Sequence, residues 1–170
     1  QGGGYTDLRK ESATILSQMD FDGFGIGGSF TKEDMDKTVK SVTEILPENK
    51  PRHLLGIGEP IDLFLGVEYG CDTFDCVNAT RHARHGQIFL DNGKVNIHKS
   101  GFKTNANKIT NDESSPLYPY TYAYLHHLFK SKEMLGPMLA SEHNLYFLIK
   151  TVDKIRQSIL DENFFEFKES

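Results

Sequence analysis

Three short apolar stretches constrain this chain more than anything else in it: FDGFGIGG at 21–28, HLLGIG at 53–58 and DTFDCV at 72–77. Each follows a segment of helical character. TDLRKESATILSQM (6–19) carries Leu8, Ala13, Ile15 and Leu16 as a rough apolar stripe. Met35, Val39, Val42 and Ile45 recur at three- and four-residue spacing, behind Thr31 as the expected N-cap and Asp34 at the third helical position. Pro60 suits the first turn of a helix supplied by IDLFLGVEYG (61–70). Residues 6–77 therefore alternate helix and strand three times. That alternation predicts an α/β fold with parallel strands. Strands apolar on both faces predict a sheet covered on both sides. The sheet is either part of a barrel or an open doubly wound sheet, and three strands cannot close a barrel of eight.

The pattern then changes. HGQIFLDNGKVNIHK (85–99) predicts a β-hairpin, with Asn92-Gly93 as its two-residue turn. Residues 100–119 are polar and contain proline, so a loop is expected. YTYAYLHHLFKSKEML (120–135) predicts a helix that Gly136-Pro137 interrupts. A last helix is expected over roughly 139–161 from the spacing of Leu145, Leu148, Val152, Ile155 and Ile159 on one face.

A chain of 170 residues can bury a real core, and 38% hydrophobic with 25% charged residues is ordinary for a globular domain. No apolar run approaches the ~20 residues that a membrane span needs. No signal-peptide pattern opens the chain, and from a start at Gln1 without Met a trimmed or processed chain is the expectation. Two cysteines, Cys71 and Cys76, make no disulfide framework and fit a reducing cytoplasm. A net charge of −5 argues against a general nucleic-acid binder. The distribution is uneven, however. Residues 81–108 hold Arg81, Arg84, Lys94, Lys99, Lys103 and Lys108 against the single acid Asp91, a local +5 that leaves −10 elsewhere. Such a block is either a phosphate-facing patch or a solvated loop surface.

In parallel β/α folds, functional residues gather at the carboxyl ends of the strands. The first strand ends in Gly27-Gly28-Ser29, the second in Gly56-Ile57-Gly58, and the third in Asp75. The glycines suit either close approach of a flat ligand or tight turns into helices. GFGIGG lacks the spacing of a dinucleotide fingerprint. Asp75, inside the expected buried strand TFDCV, is a candidate nucleophile, general base or metal ligand, or else a structural cap for the basic loop after it.

The stretch FDCVNATRHARHG (74–86) resembles the signature FDCVxPTRxxRxG of bacterial tRNA-guanine transglycosylases. QGGGYTDLRKESA is similar to the family's QGG segment, and FDGFGIGG to its GYAVGG strand. LPENKPRHLLGIGEPIDL resembles LPxxKPxYLMGVGxPxDL. AYLHHLFKSKEMLGPMLASEHNLYFL resembles the family's C-terminal AYLHHLxxxxExLGxxLxxxHNLxxY. The resemblance implies the second half of a TIM-type (β/α)8 barrel, followed by a hairpin and a helical C-terminal subdomain. The expected segments are 1–84 (barrel), 85–119 (hairpin and loop) and 120–170 (helical, without zinc). It implies exchange of an anticodon guanine in tRNA for a 7-deazaguanine base, a step of queuosine synthesis in the cytoplasm. Asp75 matches the nucleophile. Gln1, Gly27, Gly28 and Leu55 match positions at the exchanged base, Leu55 replacing a methionine. Gly56, Gly58, Glu59 and Asp62 match an RNA-contacting loop, and Thr80, Arg81 and Arg84 match the segment that grips the anticodon.

The resemblance has two limits. The family's general acid/base aspartate and much of its base pocket match no part of this chain, so full activity is expected only with an N-terminal half. The family's zinc ligands, Cys-x-Cys-x2-Cys and a later His, fall on Asp112, Ser114, Leu117 and His143. One histidine and one carboxylate do not make a tetrahedral structural site. No metal or other cofactor is expected, with Leu117, Tyr118 and Tyr120 packing in its place and His143 in the core or on a helix surface. The family works as dimers, so the expected partners are a second copy or the N-terminal half. Two alternatives stand beside the enzyme: a non-catalytic tRNA-binding or dimerisation subunit, and a DNA-directed relative that inserts 7-deazaguanines.

Overall fold

The computed structural model of the chain describes residues 2–28 and 34–169. It is an α/β fold with two compact units, Gln1–Cys76 and Val77–Ser170.

The first unit runs α1 (Thr6–Ser17), β1 (Phe24–Ile26), α2 (Met35–Thr43), β2 (Arg52–Leu54), α3 (Pro60–Glu68) and β3 (Thr73–Phe74). The strands are parallel, in the order β1-β2-β3. Their register aligns Gly25 with His53, and His53 with Thr73, on one face. The other face carries Phe24, Ile26 and Leu54, packed on Ala13 of α1 and on Met35, Val39 and Val42 of α2. Among the described residues only that face is covered. Gly25 and Thr73 are exposed and His53 is half-buried, so the expectation of strands buried on both sides is corrected. The strands are also shorter than their apolar runs. Leu55-Gly56 turn away after β2, and Asp75 lies beyond the end of β3 rather than inside it.

The helices follow the expected spacing, with shifted ends and faces. α2 buries Met35, Val39 and Val42 as predicted, but it starts after Asp34, and the expected cap Thr31 lies outside the described residues. Pro60 opens α3, where its missing N–H costs no helical bond. On α1 the expected stripe is not the buried face. Leu8 and Ile15 are about half exposed, at 48% and 51%, whereas Arg9 is 2% exposed. The guanidinium explains this inversion: Nε donates to the carbonyl of Gly3 at 2.6 Å and Nη1 to that of Gly27 at 2.9 Å.

The second unit runs α4 (Asn78–Arg84), β4 (Gln87–Leu90), β5 (Gly93–Asn96), a short 3-10 turn (Ser100–Phe102), α5 (Tyr122–Lys130), α6 (Leu135–Leu160) and α7 (Phe164–Glu169). The basic segment after Asp75, expected as a loop of the barrel region, is helix α4 and groups with this unit. In the hairpin Leu90 pairs with Gly93, so Asp91-Asn92 form the turn, one residue earlier than the predicted Asn92-Gly93. Thr121 caps α5 by accepting from the Tyr124 N–H at 3.2 Å. Gly136-Pro137 does not break the chain between two helices. It lies in the first turn of α6, where proline is tolerated.

The buried face of α6 overlaps only part of the apolar one predicted: Ile155 is buried, and Leu148 and Val152 are half-buried. Gly136, Ala140, His143, Asn144, Ile155 and Ser158 are buried, while Leu145 and Ile159 are exposed. Small and polar residues face inward because Asn144 is bonded on three sides. Its Oδ1 accepts from the Phe89 N–H at 2.9 Å, and its Nδ2 donates to the carbonyls of Ala79 at 3.0 Å and Gln87 at 2.9 Å. One buried amide thus joins α4, β4 and α6. The core around it contains Ala83, Ile88, Ile97, Ile109, Leu117, Leu125, Leu128 and Ala140.

Candidate active site at the strand ends

The register of β2 on β3 builds the site. Side chains two residues apart on a strand share a face, so Asp75 emerges on the same side as Thr73, opposite His53. The imidazole bridges them. Its Nδ1 meets Thr73 Oγ1 at 2.8 Å and its Nε2 meets Asp75 Oδ1 at 3.0 Å. The Gly56 N–H donates to the same oxygen at 3.2 Å. Gly56 holds φ +74°, a left-handed turn open to glycine at little cost. That turn aims its N–H at the carboxylate. Gly58 is needed for a different reason: a Cβ there would lie 2.3 Å from Cys76 Cβ, the residue next to Asp75.

Asp75 is not the buried carboxylate that the apolar run predicts. Its side chain is 60% exposed. The hydrogen bond from His53, followed by that from Gly56, holds its carboxyl below the usual carboxylate range. An ionised, accessible carboxylate at the carboxyl end of a parallel strand can act as a nucleophile or a base. The neighbouring carboxylate Asp72 is engaged structurally, with Oδ2 accepting from the Arg52 N–H at 2.8 Å.

Several other expected residues gather here. Leu55 is exposed after β2, and its Cδ1 lies 2.8 Å from where a Cβ on Gly27 would stand. Gly28 is exposed with φ +101°, and Arg9 Nη2 lies 3.0 Å from its missing Cβ position. Sequence reasoning missed Arg9, whose guanidinium holds the Gly27 carbonyl at this rim, and His53. The visible signal for His53 was a polar residue at the centre of an apolar strand. Along the loop after β2, Gly56 is exposed and Glu59 is half-buried, but Gly58 is buried. Asp62 is only 5% exposed, so its side chain belongs to the first turn of α3 rather than to accessible loop surface. Gln1 lies outside the described residues.

In the second unit Arg81 and Arg84 are exposed, three residues apart on one side of α4. Thr80 is half-buried and its hydroxyl donates to the Val77 carbonyl at 3.3 Å.

The positions aligned with the family's zinc ligands do not fit a metal. The Phe89 carbonyl can only accept, so His143 Nε2 carries the proton and donates to it at 2.7 Å. Burial, the leading influence on His143, pushes its pKa down and keeps the ring neutral. Nδ1 then accepts from Ser115 Oγ at 2.8 Å, and no ring nitrogen has a lone pair left for a metal. Asp112 Oδ2 is taken by Lys150 Nζ at 2.6 Å and Tyr146 OH at 2.7 Å, and the Lys150 hydrogen bond leads in holding its pKa at about 2. Leu117 is fully buried in the core with Tyr120 packed against that core, but Tyr118 bonds Glu113 and lies under Lys108 instead. Among the described residues no group of three or more His, Cys, Asp or Glu could hold a metal ion.

Comparison with known proteins places this arrangement. A sequence model described as queuine tRNA-ribosyltransferase matches residues 1–170. The chain is 45% identical over 175 residues to a queuine tRNA-ribosyltransferase of Caldanaerobacter subterraneus subsp. tengcongensis, covering 99% of the chain and 46% of the relative. It is 44% identical over 177 residues to the protein of that name from Fusobacterium nucleatum subsp. nucleatum, covering 99% and 47%. For the one from Streptococcus sanguinis the figures are 42% over 173 residues, 99% and 46%. The chain thus spans about half the length of the curated relatives it matches. With the family's model matched end to end around an accessible Asp75, the chain belongs to the queuine tRNA-ribosyltransferase family.

Proposed function

We propose that this chain carries the nucleophile-bearing half of a tRNA-guanine transglycosylase, which exchanges an anticodon guanine for a 7-deazaguanine. The observation that carries this reading is the exposed Asp75 carboxylate, held ionised by His53 and Gly56 at the ends of parallel strands in a chain of this family. An Asp75 oxygen bonds the ribose C1′ as the C1′–N9 bond of guanine breaks. The electron pair goes to N9, which is protonated as guanine leaves. The incoming base then gives up its N9 proton and displaces the carboxylate, so two inversions retain the configuration. The resemblance assigns the acid and base for these proton transfers to the half that this chain does not span. Arg81 and Arg84 would hold flanking phosphates while the target nucleotide leaves its stack.

The open edges of β1 and β3, and the uncovered face with Gly25, His53 and Thr73, support a place for the first unit within a (β/α)8 barrel completed by further strands. On α6, Met138, Leu145, Ile149 and Ile159 form an exposed apolar stripe that supports pairing with a second copy. The bonded state of His143 and Asp112 supports a unit that folds without zinc. Neither Cys71 nor Cys76 is in a disulfide, as suits a reducing cytoplasm, and among the described residues no helix is long and apolar enough to cross a membrane. The test is exchange of labelled guanine into tRNA, with this chain alone and joined to an N-terminal half. Exchange is expected only in the joined form and is abolished by Asp75→Asn. If the joined form is inactive, or Asp75→Asn changes nothing, the reading fails.

A further inference from the structure

We propose that His53, oriented by Thr73, is the positioning residue that holds Asp75 by one oxygen, Oδ1, and leaves Oδ2 as the atom that bonds the ribose. This rests on the reading of Asp75 as the nucleophile. Four observations carry it. The β2–β3 register sets His53 directly opposite Thr73, with Asp75 next along the same face. The imidazole meets both residues within hydrogen-bond distance, one through each nitrogen. Both donors to Asp75, the His53 ring and the Gly56 N–H, converge on Oδ1. The imidazole is not a core element, since its side chain is 35% exposed while Arg52 and Leu54 on either side are buried.

The protonation states are consistent with this role. A carboxylate only accepts, so Nε2 must carry a proton. In the neutral ring Nδ1 then accepts from the Thr73 hydroxyl. In the imidazolium Nδ1–H donates to Thr73 Oγ1 instead. The Asp75 carboxylate therefore sets the Nε2–H form, and the Thr73 hydroxyl, which can donate or accept, fixes the ring's orientation, much as outer partners orient histidines in metal sites. The other titratable groups around this edge have their own bonds. Asp72 accepts from the Arg52 N–H, the Arg52 guanidinium donates to the carbonyls of Leu46 and Gly70, and Cys76 Sγ faces the Gly56 carbonyl at 3.6 Å. His53 is the ionisable side chain that meets Asp75. Fixing one oxygen while the other attacks limits the carboxylate to a narrow set of orientations, where a displacement near 1 Å can cost ~100-fold in rate.

Two measurements test the proposal. In the 170-residue chain, NMR is expected to show His53 as the Nε2–H tautomer. The Asp75 carboxyl should titrate below the ordinary value of about 3.9 and move up toward it in His53→Phe. In the form joined to an N-terminal half, His53→Phe is expected to slow formation of the covalent tRNA adduct about 10- to 100-fold with KM for tRNA unchanged. His53→Gln, whose amide can replace Nε2–H, recovers most of that rate, and Thr73→Val falls between. An unshifted Asp75 titration in a folded His53→Phe chain overturns the inference. So does a wild-type rate of adduct formation in that variant, while Asp75→Asn still abolishes the adduct; the nucleophile reading then stands. An adduct that survives Asp75→Asn overturns both.

Discussion

Arg9 and Asp75 reverse the usual placement expected from their surroundings in the sequence. The arginine of an amphipathic helix is buried, and the aspartate of an apolar run is exposed. Each is placed by a partner distant in sequence: Gly27 for Arg9, His53 and Gly56 for Asp75. Arg9→Met should therefore release the Gly3 and Gly27 carbonyls and lower stability by about 1.5–3 kcal/mol, the range for hydrogen bonds to charged groups. Urea denaturation of the chain measures this, and a midpoint unchanged from wild type would refute it. Asp75 was legible as a candidate because a carboxylate stood out against apolar neighbours. Its ionised, accessible state was not, because that depends on where β3 ends. His53 was missed for a related reason: in a strand of unknown register, a histidine has no identifiable partner.

At the level of elements, apolar periodicity located the helices but placed the buried face of α6 only in part, since Ile155 is buried while Leu145 and Ile159 are exposed. Periodicity shows which residues could be buried together; it does not show which face a neighbour covers. The covered face belongs to His143 and Asn144 because their polar atoms satisfy backbone groups of α4 and the hairpin. Asn144→Leu removes three such bonds at once. With about 1–3 kcal/mol for each buried group left unpaired, it should destabilise the unit by roughly 3 kcal/mol or more. A loss under 1 kcal/mol in the same denaturation assay would show that Asn144 is dispensable. The hairpin moved by one residue for a similar reason, since its pairing is decided by the strands as well as by the turn dipeptide.

For the whole molecule, two predictions concern what holds it together and with whom. The Ser115–His143–Phe89 chain and the Asp112–Lys150–Tyr146 cluster occupy the groups that a zinc ion would need. Exhaustive dialysis against EDTA should leave the thermal midpoint unchanged, and elemental analysis finding one tightly bound zinc per chain would reverse that conclusion. The stripe on α6 should mediate self-association. Leu145→Glu with Ile149→Glu is expected to shift sedimentation toward the monomer, and a mass unaffected by the pair would remove the stripe from the interface.

The sequence by itself determined the α/β alternation, the parallel sense of the strands, the family, and Asp75 as the residue at issue. Those depend on local periodicity, connection length and motif spacing, which are properties of the chain read in order. Only the tertiary structure decided that His53 and Thr73 stand beside Asp75, that Arg9 reaches Gly27, and that His143 has no lone pair for a metal. Those depend on register, strand ends and packing partners separated by 18 to 54 residues. No local pattern encodes such distances. They appear only when backbone hydrogen bonding and burial are satisfied together.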